Sequence, residues 1–107
     1  MDQENLKESA VRLELEAENA VAAGYAEAKC FVSGDIALLV RQAKSGAVIA
    51  AVKYEGAAGI AYAFMETKLG ECAALRSAWE KFRWYLEDRD SDPAIIMDKA
   101  RNPRAWR

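Results

Sequence analysis

Apolar residues recur at three- and four-residue steps along two long stretches of the chain, and this spacing limits the fold more than any other feature. In the first stretch Leu6, Ala10, Leu13, Ala17, Ala20, Gly24 and Ala28 fall on one helical face. Val11, Leu15, Val21, Ala22 and Tyr25 widen that face. Glu4 and Glu8 stand near its start, where negative charge favours the helix macrodipole. A helix from about Gln3 to Ala28 is expected. In the second stretch Met65, Leu69, Cys72, Leu75, Trp79, Phe82 and Leu86 form a stripe six turns long. Glycine costs about 1 kcal/mol inside a helix, so this helix either runs through Gly70 or begins there.

Between these stretches, CFVSGD offers Ser33 or Asp35 as a cap, since a short side-chain oxygen accepts a free first-turn amide hydrogen. The helix DIALLVRQAK follows, with Ile36, Leu39, Val40 and Ala43 inward and Gly46 at its stop. The segment AVIAAVKYEGAAGIAYAFM supports two readings. Val48, Ala50, Val52 and Tyr54 alternate with Ile49, Ala51 and Lys53, as in a hairpin strand turning near Glu55-Gly56. Its alanines instead favour helix. Near the C-terminus, Asp92-Pro93 is a helix start and Asn102-Pro103 a stop, with Ala94 to Ala100 between them. The expected fold is mainly α, a small domain of four to five helices. The alternative is α+β, with a β-hairpin at about 47–65 packed on the long helices. The 107 residues read as one domain, 1–107, with 102–107 as a flexible basic tail.

Alanine occupies many of the inward positions. It makes helix but contributes little apolar area, so stability is expected to depend on a second copy or a partner covering more surface. The net charge of -2 gives no global field for nucleic acid. Its distribution is uneven: seven acids stand against two bases in residues 1–27, while Lys99, Arg101, Arg104 and Arg107 close the chain without an acid. The two cysteines, Cys30 and Cys72, form no CxxC and are expected as thiols in or near the core. The polar start MDQENLKESA does not read as a signal peptide. Lys53, Glu55, Glu66 and Lys68 interrupt the most apolar window, which excludes a membrane span there. A reducing, cytoplasmic location is the expectation.

Histidine is absent. The commonest near-neutral base and the commonest metal ligand are therefore missing. The carboxylate pairs Glu14/Glu18 and Asp88/Asp92 read as solvated helix faces, and the glycines of GAAG and GDIALL fall short of any phosphate-binding fingerprint. No catalytic residue, metal or cofactor is expected. The segment WEKFRWY is different. Trp79 and Phe82 belong to the stripe, whereas Trp84 and Tyr85 lie off it beside Lys81 and Arg83. Aromatics and arginine are enriched at interface hot spots. Either a partner covers this side or the small fold wraps it internally.

These features lead to a non-enzymatic protein-protein interaction protein: a regulator, inhibitor or adaptor that binds a macromolecular partner. It is expected to act as a homodimer built partly on Trp84 and Tyr85. Lys81, Arg83, Trp84, Tyr85, Arg101, Arg104 and Trp106 are the candidate contacts. A nucleic-acid-binding regulator using the basic tail is the alternative, followed by a small carboxylate enzyme or enzyme subunit.

Overall fold

The computed structural model describes residues 2–89 together with Met97, Ala100, Arg101 and Asn102. Of the expected helix at Ala94 to Ala100 only Met97 and Ala100 are described, both helical; its Asp92-Pro93 start and most of the basic tail lie outside the described residues. The fold is mainly helical, and no strand occurs among the described residues.

Helix α1 spans Gln3–Ala22. Asp2 caps it: its carboxylate accepts the Asn5 backbone N–H at 3.0 Å and the Asn5 side-chain amide at 2.6 Å. These bonds hold the Asp2 carboxyl below its ordinary pKa. Leu6, Ala10, Leu13, Ala17 and Ala20 are buried, as their spacing requires. The helix stops six residues before Ala28, at a glycine that periodicity alone places on the buried stripe. Gly24 has φ +99, a conformation available to glycine without a Cβ penalty. Its N–H reaches the Val21 carbonyl, and the Tyr25 N–H reaches the Ala20 carbonyl, both at 3.0 Å. This Schellman arrangement closes the helix. A 3-10 segment, Ala26–Phe31, then brings Ala28 and Phe31 into the core.

Helix α2 spans Gly34–Ser45 and buries Ile36, Val40 and Ala43. Ser33 occupies the cap position without a capping bond; its hydroxyl donates instead to the Lys29 carbonyl at 2.8 Å. Gly46 ends α2 in the left-handed conformation, with the Ala47 N–H returning to the Gln42 carbonyl at 2.9 Å. This second Schellman stop stands where the sequence places it.

Residues 47–56 form neither helix nor strand, and α3 follows over Ala57–Glu66. The hairpin alternative at about 47–65 is therefore corrected. The alternation behind it appears only in part in burial: Val48, Val52 and Tyr54 turn inward while Ile49, Ala51 and Lys53 face out, but Ala50, expected inward, is exposed. The backbone hydrogen bonds go elsewhere. The Val52 N–H donates to the Leu86 carbonyl at 2.8 Å, and the Gln3 side-chain amide donates to the Val48 carbonyl. Helices thus take the groups that a partner strand would need.

The long second stripe is two helices. α4 spans Ala73–Leu86, separated from α3 by the 3-10 segment Lys68–Glu71. Thr67 makes the break. Its hydroxyl donates to the Ala63 carbonyl at 2.5 Å and accepts the Leu69 N–H at 3.1 Å. Gly70 has no Cβ, which lets the Phe64 carbonyl approach it. Leu69, Leu75, Trp79, Phe82 and Leu86 are buried as expected, but Met65 is exposed. Trp79 is the aromatic centre of the core, with its ring 5.4 Å from Phe31, 5.7 Å from Tyr54 and 6.4 Å from Phe82. The two T-shaped contacts suit ring quadrupoles.

Candidate interaction surfaces

The α4 residues singled out by the sequence divide among different surroundings. Lys81 is exposed and stands on the wall of a groove of about 470 Å³ between α1 and α4. Asn5, Ser9, Arg12, Ala74 and Ser77 also line this groove. Small side chains at Ser9, Ala74, Ser77 and Ala78 leave room for it. Arg83 turns away from it and donates to Glu87 at 2.6 Å. Arg89 bonds the other Glu87 oxygen at 3.2 Å, and its guanidinium lies 5.8 Å from the centre of the Trp84 ring. Glu87 is therefore held between two arginines of its own chain. Trp84 is partly buried, and Tyr85 packs partly buried against the core. Internal wrapping, one of the two readings of this side, accounts for part of the cover on both rings. Arg101 is exposed; Arg104 and Trp106 lie outside the described residues.

Both cysteines are free thiols; Cys72 packs against the core as expected, and Cys30 departs from expectation. Cys30 is exposed and Cys72 only partly buried. The turn of the 3-10 segment that buries Phe31 swings its neighbour Cys30 outward. Desolvation nonetheless raises both thiol pKa values, aided at Cys72 by the charge of Glu71. Glu71 also accepts a hydrogen bond from the Tyr25 hydroxyl at 3.0 Å, which raises the phenol's pKa. Of the carboxylate pairs, Glu14 is engaged by Lys44 at 2.9 Å, and Asp92 is outside the described residues.

The bare apolar surface lies instead on α3. This helix carries no charged residue before Glu66. One face, Ile60 and Phe64, packs into the core. The opposite face, Ala58, Ala61, Tyr62 and Met65, is exposed, with Tyr62 at 65% and Met65 at 74%. The four positions follow the i, i+3, i+4, i+7 spacing of a helix stripe. A helix apolar all round is ordinarily buried all round, so α3 has one face more than the described residues cover. The signal was present in the sequence as the missing polar face of AAGIAYAFM. Helix and hairpin distribute these residues differently, so spacing alone does not isolate the face. Elsewhere, Val11 and Leu15 form a smaller bare pair on α1, bounded by Lys7, Glu8 and Arg12.

No protein-family model matches the chain, and comparison with curated proteins and with solved structures returns no match. Among the described residues, no helix is long and apolar enough to cross a membrane.

Proposed function

We propose that this chain is a non-enzymatic interaction protein, a regulator, inhibitor or adaptor, that docks a protein partner on the outer face of α3. The uncovered apolar face of a helix without a polar side carries the reading. Tyr62 and Met65 present large contact area on a rigid helix, and Ala58 and Ala61 leave the backbone approachable. Contact of this kind needs no bound cofactor and no titrating base. Lys81, with the α1–α4 groove, stands as a second, polar contact region.

The test compares proteins captured from a lysate of the native cell by three baits: the intact chain, Tyr62→Lys/Met65→Lys, and Lys81→Ala. The α3 double variant is expected to lose specific partners that the Lys81→Ala chain keeps. Identical capture by the intact chain and the α3 variant would remove α3 as the docking face.

A further inference from the structure

We infer that the outer face of α3 pairs with the same face of a second copy, antiparallel about a two-fold axis. The inference rests on the reading of α3 as a docking face and names its occupant. The exposed stripe is polar in size along the helix: small Ala58 and Ala61 occupy its first half, large Tyr62 and Met65 its second. Antiparallel pairing sets the large half of each copy over the small half of the other. Its centre falls between residues 61 and 62, so Ala58 comes opposite Met65 of the other copy. Such self-complementarity is what an isologous interface requires. Parallel pairing would set Met65 against Met65 and leave a gap between the alanines.

The charges flanking the helix favour the same direction. Exposed Lys53 and Glu55 stand before the N-terminal end of α3, and exposed Glu66 and Lys68 at its C-terminal end. In the register centred between residues 61 and 62, Glu55, two residues before α3, comes level with the other copy's Lys68, two residues after it. Parallel packing brings like charges together, which disfavours that register. The size of the face sets the strength. A ten-residue helix is about 15 Å long. One face of it buries on the order of a few hundred Å² per copy, below the roughly 800 Å² per partner of a standard stable interface. The dimer is accordingly weak and reversible, and able to give way to a tighter partner.

Sedimentation equilibrium tests the association, and circular dichroism checks that each variant keeps the fold. The intact chain is expected to dimerise with rising concentration, and Tyr62→Lys/Met65→Lys to bind itself at least tenfold more weakly. Cross-linking tests the direction. In a Cys30→Ser/Cys72→Ala background, Ala61→Cys is expected to cross-link to itself through a short bismaleimide. Ala58→Cys should cross-link efficiently only when mixed with Met65→Cys. A monomer throughout, up to hundreds of micromolar, overturns self-association. A dimer indifferent to the double lysine variant, or efficient self-cross-linking of Ala58→Cys alone, overturns this geometry. If the intact chain stays monomeric while the α3 variant still loses captured proteins, self-pairing fails and the docking face stands. If the α3 variant loses nothing, the docking reading fails with it.

Discussion

Replacing Gly70 with alanine should destabilise the protein, while the same replacement at Gly59 should stabilise it. A Cβ at Gly70 would run into the backbone carbonyl of Phe64. That carbonyl cannot rotate aside like a side chain. It sits in the last turn of α3, where Thr67 holds the adjacent Ala63 carbonyl through both its hydroxyl and its N–H. The Gly70 N–H is itself tied to the Thr67 carbonyl at 3.2 Å. Relief of the overlap must therefore shift α3 relative to the 3-10 segment. Overpacking of this kind costs about 1–3 kcal/mol, and the stiffer unfolded chain returns only about 0.4–1 kcal/mol. The net loss, roughly 1–2 kcal/mol, lowers Tm by roughly 4–16 °C in a domain of this size. Gly59 lies within α3 with nothing near its missing Cβ. Alanine there gains up to about 1 kcal/mol of helix propensity. Thermal and urea unfolding followed by far-ultraviolet circular dichroism, at low micromolar concentration, measures both. A Gly70→Ala protein as stable as the parent would refute the account of the α3–α4 break, since that break depends on the close carbonyl.

Trp79→Ala removes the ring that joins Phe31, Tyr54 and Phe82 and should cost about 3–5 kcal/mol, a large share of a small domain's stability; near-ultraviolet circular dichroism should lose its fine structure, and an unchanged urea midpoint would contradict this packing. Thr67→Val removes both hydroxyl bonds at the break and should cost about 1 kcal/mol, with Thr67→Ser recovering most of it in the same urea titration. The Tyr25 phenol is raised by its hydrogen bond to Glu71, then by that carboxylate's charge; Tyr54 is raised chiefly by burial and secondarily by the charge of Asp35. Both favour the protonated form in the folded state, so their stabilisation is complete below the ordinary value of 10.0 and fades as pH rises through the raised values. Ultraviolet difference titration of the parent, Tyr25→Phe and Tyr54→Phe should therefore show each substitution removing a late-ionising phenol. Desolvation likewise predicts that Cys30 and Cys72 react with Ellman's reagent more slowly at neutral pH than a free thiol does; equal rates would refute that sheltering.

The sequence by itself determined which residues share a helical face. Leu6, Ala10, Leu13, Ala17 and Ala20 lie in the core because i, i+3 and i+4 positions meet on one side of a helix. Gly46 ended α2 because a left-handed stop is cheapest at glycine. Leu75, Trp79, Phe82 and Leu86 followed their stripe into the interior for the same reason as those of α1. Tertiary structure decided where periodicity is interrupted. Gly24 fits one apolar stripe by number and Gly70 falls within the span of the other, yet one turns the chain and the other admits a carbonyl. The alternation in residues 48–54 held at Val48, Val52 and Tyr54 but not at Ala50; strand pairing also needs a second backbone, and here α4 and Gln3 supplied the partners instead. Tertiary structure also decided which aromatics remain bare. Spacing places Trp84 and Tyr85 off the stripe without revealing that Arg89 and the core cover part of them. It gives α3 two apolar faces without saying which is left over. Facing is a local consequence of helix geometry, whereas cover depends on what the rest of the chain brings alongside.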